Sequence, residues 1–319
     1  MTTYKGIKGF TVQKLSSDPT TDSSVGQIYY NSTSNAFKYV TPGGASAGTW
    51  SSGNNLNTAR YALAGAGTQT ASLAFGGDDG SFTGASESYN GSSWTNTPSM
   101  NVARGFLGGL GTQTLALAFG GSETINRNET EEYNGSWTTS GTLNTARSGL
   151  AGAGIQTAGL AFGGSVSPNG ETEIYNGSAW TTSPASLNTG RNILGGCGAT
   201  NTAAIAMGGN PAKAETEIWD GTSWTEVADL NTGRHNIAAA GISTSALAFG
   251  GNTGSDSALT ESWNGSSWTE VGDLATARRA IAGTGTSTLA LAAGGGTPLK
   301  NATEEWNAPD LVIKTITTS

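Results

Sequence analysis

The chain has 319 residues, a net charge of −8 and only 12% charged residues, and six of its eight arginines belong to one repeated motif, so no basic face is left for nucleic acid. No run of about eighteen apolar residues is available for membrane insertion, and the N-terminal lysines Lys5, Lys8 and Lys14 precede no secretory apolar segment. A soluble protein made in the cytoplasm is expected, and its lone Cys197 allows no intramolecular disulfide.

Residues 1–15 place Ile7, Phe10, Val12 and Leu15 in a weak strand-like scatter, and Ser16 to Ser24 reads as a loop containing Asp18-Pro19. Ile28-Tyr29-Tyr30 and Phe37-Lys38-Tyr39-Val40 flank Asn31 to Asn35, which predicts a hairpin. Pro42 to Gly48 is a flexible link to Thr49-Trp50. The Asp-Pro loop followed by Gly26-Gln27-Ile28-Tyr29-Tyr30-Asn31-Ser32-Thr33-Ser34-Asn35 resembles N-terminal modules of bacteriophage tail-fibre and other virion-surface proteins. That resemblance implies an attachment segment over 1–45 and an outward-facing remainder. A hairpin that merely covers one edge of the main domain is the other reading of the same residues.

From residue 56 to 307 the chain repeats itself six times. Arginines recur at 60, 104, 147, 191, 234 and 278, a period of 43 or 44 residues, which marks a propeller, solenoid or array. Within the first unit, Arg60 to Gly67, Thr70 to Phe75, Ala85 to Tyr89 and Ser92 to Thr95 read as four short strands. The last two are joined by Asn90-Gly91, repeated as Asn134-Gly135, Asn176-Gly177, Asp220-Gly221 and Asn264-Gly265, the preferred pair for a tight hairpin turn. Short strands with turns at this spacing predict an all-β propeller, the small residues of each first strand lying at the crowded centre.

The double glycines at 76–77, 120–121, 163–164, 208–209, 250–251 and 294–295, each followed by Glu, an aromatic two residues on, and then Trp, resemble kelch repeats. The resemblance implies four-stranded blades in a ring over 46–310, with a short N-terminal hairpin extension and a tail strand over 311–319. It leaves function open, because kelch propellers include both binding proteins and oxidases. The last repeat lacks its Asn-Gly turn and outer tryptophan, yet Trp50 stands ten residues before Arg60 as Trp94 does before Arg104. Residues 48–53 are therefore expected to complete a sixth blade with 279–307. In the alternative, Leu311 to Ile316 takes that place and the N-terminal strands begin a seventh blade.

Equal numbers at fixed offsets pair Arg60, Arg104, Arg147, Arg191, Arg234 and Arg278 with Glu87, Glu131, Glu173, Glu217, Glu261 and Glu304 as buried structural bonds that set blade spacing. Trp50, Trp94, Trp137, Trp180, Trp224 and Trp268 read as packing residues, as do Trp219, Trp263 and Trp306. No catalytic site is expected, nor any metal or cofactor. His235 is the only histidine, and the histidines and cysteine–tyrosine pair of kelch-like copper oxidases are missing. Asp78-Asp79 lacks the further oxygen ligands of a calcium site. The Gly-x-Gly stretches recur between strands with no helix after them, which excludes a phosphate loop.

The six copies differ most in the loops after the double glycines, and strand alternation places these on one face. Candidate ligand-binding residues there are Asp78, Asp79, Phe82, Ile125, Arg127, Asn169, Lys213, Asp256 and Lys300. Amide- and hydroxyl-rich loops suit a neutral polysaccharide. The expected function is that of a non-enzymatic tail-fibre, head-fibre or decoration protein of a virion, held to other virion proteins by its N-terminal segment and contacting a host-surface glycan or receptor. The alternatives are a purely architectural virion subunit and a bacterial kelch-type binding protein.

Overall fold

The structure, a computed structural model, describes residues 12–19, 26–42, 48–166, 169–296, 298–308 and 311–316, none of them helical. The strands are β1 (Gln13–Leu15), β2 (Ile28–Asn31), β3 (Ala36–Pro42) and β4 (Thr49–Gly53), then β5 (Ala64–Thr68), β6 (Ala71–Phe75), β7 (Ser86–Tyr89) and β8 (Trp94–Thr97). Next come β9 (Gly108–Gly111), β10 (Ala116–Phe119), β11 (Thr130–Tyr133), β12 (Trp137–Ser140), β13 (Ala151–Ile155), β14 (Ala158–Phe162), β15 (Thr172–Tyr175) and β16 (Trp180–Thr182). They continue as β17 (Gly195–Thr200), β18 (Ala203–Met207), β19 (Thr216–Trp219), β20 (Trp224–Val227), β21 (Ala238–Ile242), β22 (Ser245–Phe249), β23 (Thr260–Trp263) and β24 (Trp268–Glu270). The last are β25 (Ala282–Gly285), β26 (Leu289–Ala293), β27 (Thr303–Asn307) and β28 (Leu311–Thr315).

Each repeat forms a four-stranded antiparallel sheet in chain order, and the sixth takes its outer strand from β4, in the order β25-β26-β27-β4 with Trp306 opposite Trp50. The first strands of the six sheets adjoin one another in sequence, and β25 adjoins β5. The all-β body is thus arranged as a β-propeller. Strands β1, β2, β3 and β28 make a separate sheet, β28 lying antiparallel to β3, so the tail does not occupy the outer place in the sixth repeat sheet. Residues 1–11, which carry Ile7 and Phe10, lie outside the described residues.

The first strand of the first repeat starts at Ala64, four residues later than its apolar run suggests. Ala62 has φ 54°, and its counterparts Phe106, Gly149, Ile193, Asn236 and Ala280 have φ between 46° and 63°, a left-handed turn that no strand continues through. The turn serves a closed circle of backbone hydrogen bonds. Phe106 donates to Ala62, Gly149 to Phe106, Ile193 to Gly149, Asn236 to Ile193, Ala280 to Asn236 and Ala62 to Ala280, at 2.6–3.0 Å. Six bonds around one axis hold these residues, five of them not glycine, where glycine is preferred. Ile193, β-branched, is of a residue type rarely found in this region.

Two further circles join each sheet to the next. The second glycine of every pair donates to an arginine carbonyl in the following repeat, from Gly77 to Arg104 round to Gly295 to Arg60, at 2.8–3.1 Å. A Cβ on the first glycine would stand 2.8 Å or less from that carbonyl oxygen in every copy, as at Gly76 against Arg104 and Gly294 against Arg60. Close backbone approach, together with positive φ, is the reason for the double glycine. On the outside, each outer tryptophan donates its indole N–H to a hydroxyl of the preceding sheet at 2.9–3.1 Å: Trp94 to Thr303, Trp137 to Ser86, Trp180 to Thr130, Trp224 to Thr172, Trp268 to Thr216 and Trp50 to Thr260. Trp137, Trp180, Trp224 and Trp50 also rest on Phe75, Phe119, Phe162 and Phe249, ring centres 4.9–5.0 Å apart.

Cys197 sits on the inner strand β17, 8% exposed, with its thiol pushed up to about 12 by burial. A thiol-specific reagent added to the native protein should therefore label it only as fast as the body unfolds, and rapid labelling in buffer would place Cys197 at the surface instead.

Candidate functional site

All six repeat arginines are buried and ion-paired: Arg60–Glu87 at 2.8 Å, Arg104–Glu131 at 2.6 Å, Arg147–Glu173 at 2.9 Å, Arg191–Glu217 at 2.6 Å, Arg234–Glu261 at 3.2 Å and Arg278–Glu304 at 2.9 Å. Each pair lies within one repeat sheet, so it does not itself bridge neighbours as the spacing role requires. The glutamate also accepts backbone N–H groups from the connection leading into its sheet, such as Asn57 and Thr58 on Glu87. These bonds fix the crossover, while the arginine carbonyl joins the preceding sheet.

The loops after the double glycines stand at one end of the sheets, with the connections between sheets. At this end four candidate residues share one register, three positions before the third strand: Arg127, Asn169, Lys213 and Lys300. Their carbonyls accept the backbone N–H of Arg147, Arg191, Arg234 and Arg60, at 2.9–3.2 Å. Two of the side chains are already paired, Arg127 with Glu123 and Glu129, and Lys213 with Glu215 at 2.9 Å. Ile125 is 65% exposed and Asp79 is exposed, both out on the loops. Asp78 accepts the N–H of Gly80.

Phe82, Asn126 and Asp256 share a second register, each covering the residue after the next repeat's arginine. Phe82 lies over Gly105, where a Cβ would come 2.8 Å from its ring. Asn126 accepts the Ser148 hydroxyl at 2.9 Å, and Asp256 pairs with Arg279 at 2.8 Å. Three seams are thus closed by three different matched chemistries. Part of the loop variation is packing.

Three of the loops, in the third, fourth and sixth repeats, are one or two residues shorter. Asn192 and His235 flank the fourth repeat, and Asn236, next to His235, is bonded through its backbone to Ile193. Asn236, Ile193 and Phe106 line an axial cavity of about 130 Å3 whose remaining wall is leucine, isoleucine, alanine and glycine. His235 is held below its ordinary pKa by burial and by Arg279, so its imidazole is uncharged at neutral pH. Tyr61 packs edge-on against Phe106 with ring centres 6.0 Å apart. Burial, then Asp78, raises the Tyr61 phenol pKa. Sequence reading singled out the outer loop residues but not Tyr61, Phe106, Asn192 or Asn236, and it took His235 as an ordinary residue. The position directly after the arginines reads Tyr, Gly, Ser, Asn, His, Arg, and the one after it Ala, Phe, Gly, Ile, Asn, Ala, so both vary beside a constant arginine. Among the described residues, no three His, Cys, Asp or Glu side chains gather to hold a metal.

The opposite end carries the constant turns. Asn90 accepts the N–H groups of Ser92 and Ser93 within its turn, and Asp220 does the same in the fourth repeat. Four half-exposed aliphatic residues, Leu115, Ile155, Ile242 and Leu289, lie at the first hairpin tips of this end. Here too Asn307 pairs with both Leu289 and Thr49, so both chain connections to the small sheet leave from this end. In the small sheet, Asp18 accepts from Tyr29, Asn31 and Lys38, which ties the Asp-Pro loop to the hairpin, and Lys38 with Tyr29 holds its carboxyl below the usual range.

Tyr175 donates to Glu132 at 2.6 Å, and its phenol, pushed up mainly by burial, has a pKa of about 12. A raised folded-state pKa stabilises the protein below the ordinary phenol value of about 10, and that contribution is lost as pH rises through the folded value. Melting temperatures should fall across this alkaline window, and fall less for Tyr175→Phe; equal slopes for the two proteins would refute the assignment.

No protein-family model matches the chain, and no curated protein matches it with significant similarity.

Proposed function

We propose that the protein is a six-bladed kelch-type propeller, closed by the Trp50 strand, that serves as a non-enzymatic tail-fibre, head-fibre or decoration subunit of a phage particle. Its N-terminal segment binds other virion proteins, and its variable-loop face contacts a host-surface glycan or receptor. The observation that carries this reading is the polarity of the body. Both connections to the small sheet leave the end with constant turns, while the variable loops stand at the other. A module anchored at the first end presents the second outward. Contacts that are individually weak then gain strength from many copies per particle.

Saturable adsorption of the purified protein to a subset of bacterial strains is expected, with loss of adsorption when the six loops are cut to Gly-Ser turns. Adsorption to no strain would refute the reading. The aliphatic residues Leu115, Ile155, Ile242 and Leu289 favour a second reading, an architectural subunit joined to its neighbours through the constant end. In that case the same loop cuts leave particle assembly unaffected.

A further inference from the structure

We infer that Asn134, in the turn between β11 and β12, is a site of spontaneous modification in the folded protein, losing its side-chain ammonia to become aspartate and isoaspartate well before the other asparagines of its kind. The chain holds five Asn-Gly pairs, at 90, 134, 169, 176 and 264, and glycine, without a Cβ, leaves its nitrogen the least hindered path to the preceding side chain. In four of them serine follows the glycine, so Asn90, Asn134, Asn176 and Asn264 share one immediate chemistry and differ in their surroundings. This inference is independent of the recognition reading above.

The first difference is the hold on the side chain. Oδ1 of Asn90 accepts the N–H of Ser92 at 3.0 Å and that of Ser93 at 2.8 Å. Asn176 accepts those of Ser178 and Ala179 at 3.0 and 2.9 Å, and Asn264 those of Ser266 and Ser267, both at 2.9 Å. Such bonds fix a carboxamide against its own turn. The turn of the second repeat is one residue shorter, with only Asn134-Gly135-Ser136 between the strand partners Tyr133 and Trp137, where Tyr89 and Trp94 enclose four residues. Three residues on from Asn134 the chain is already in β12, and the Asn134 carboxamide makes no hydrogen bond among the described residues.

The second difference is the room around the attacking nitrogen. In the longer turns the glycine lies against a threonine of the first hairpin turn: a Cβ would come 3.2 Å from Thr70 at Gly91, 3.3 Å from Thr157 at Gly177 and 3.2 Å from Thr244 at Gly265. At Gly135 nothing beyond its chain neighbours stands within 4 Å, and Asn134, Gly135 and Ser136 are all exposed. The remaining pair, Asn169-Gly170, is held by its backbone. The Asn169 carbonyl accepts the N–H of Arg191 and the Gly170 carbonyl that of Leu187, both at 2.9 Å, and Gly170 is buried. Of the five, the pair at 134–135 is the one restrained by neither a bond of this kind nor a packed neighbour.

The reaction needs water alone. The Gly135 nitrogen attacks Cγ of Asn134, the new C–N bond closes a succinimide, and the Cγ–Nδ2 bond breaks. Nδ2 leaves as ammonia, carrying the proton that the Gly135 nitrogen gives up. Water then opens the ring. Cleavage at the side-chain carbonyl leaves aspartate, and cleavage at the main-chain carbonyl leaves isoaspartate, with the chain running through Cγ. One water enters, one ammonia leaves, and nothing is oxidised or reduced. Asp220 already stands at this position in the fourth repeat, so the position accepts a carboxylate, and it is the one charged residue among the described turns of the constant end. Conversion of Asn134 gives that end a second negative charge.

Peptide mapping by mass spectrometry reads each asparagine separately as the full chain is incubated in mildly alkaline buffer. In the folded protein Asn134 should convert about tenfold faster, or more, than Asn90, Asn176 and Asn264, the factor expected from two hydrogen bonds that the others must break first. In denaturant the four should convert at similar rates, because the residues beside them are alike. A serine inserted between Ser136 and Trp137 gives the second repeat the longer turn and should slow Asn134 to the rate of the other three. The inference is overturned if the four convert at equal rates in the folded protein, if Asn134 is slower than any of them, or if its excess persists in denaturant. An excess that persists in the folded protein with the lengthened turn overturns it as well.

Discussion

Glu131→Gln should destabilise the protein by about 3–5 kcal/mol, the cost of leaving a buried charge without its partner. Arg104 is 0% exposed, and its guanidinium meets one Glu131 oxygen at 2.6 Å. The other oxygen accepts the backbone and side-chain N–H of Asn101, at 2.7 and 2.9 Å. Gln keeps the size but removes the charge and turns an NH2 group toward donors. The melting temperature should fall by something on the order of 10 °C. Replacing both partners, Arg104→Met with Glu131→Leu, should cost less than the single change, because no stranded cation remains. A Glu131→Gln protein as stable as the parent would show that the pair carries no structural charge.

Trp50→Ala should cost about 3 kcal/mol, within the range for removing a large aromatic from a packed site. Trp50 touches Phe249 and Trp306, with ring centres 4.9 and 5.4 Å away, and its indole N–H bonds Thr260. It stands more than 250 residues before its strand partner Trp306. The same substitution at Trp180, an outer tryptophan whose sheet is contiguous in sequence, supplies the comparison. Chemical denaturation should show both variants losing stability together in one transition. If Trp50→Ala were neutral while Trp180→Ala was not, the N-terminal strand would be no part of the closed ring.

Much of this architecture can be read from the residues because the repeats demand the same chemistry six times. Double glycines are visible in sequence since a Cβ at Gly120 would press on the Arg147 carbonyl, and no other residue fits. Trp50 is legible as the missing outer strand through its offset from Arg60 alone. The start of the first strands was not, because Tyr61-Ala62-Leu63 is as apolar as any strand while the turn at Ala62 is imposed by neighbours distant in sequence. Gln69, Gln113 and Gln156 stand at the first hairpin turns, where nothing in the sequence marks them, yet each reaches two carbonyls of the preceding sheet.

The variable-loop face was legible as a face; the places its side chains take were less so. Arg127 and Lys213 attract notice as charges in variable loops, but each is paired with a glutamate two residues further on. Asn236 is inconspicuous in sequence and stands on the axial cavity only because its connection bonds to Ile193 in the preceding one. Matched pairs such as Phe82 over Gly105 are likewise legible only once the seam is known.

The proposal of a two-ended molecule, anchored at the constant end and recognising at the variable end, is tested most directly by adsorption to bacterial cells with one variant at each end. The first has the six variable loops cut to Gly-Ser turns. The second replaces the aliphatic residues of the constant end, Leu115, Ile155, Ile242 and Leu289, with serine. Adsorption lost in the first and retained in the second is the predicted result. Retention in the first with loss in the second would contradict the assignment of the two ends.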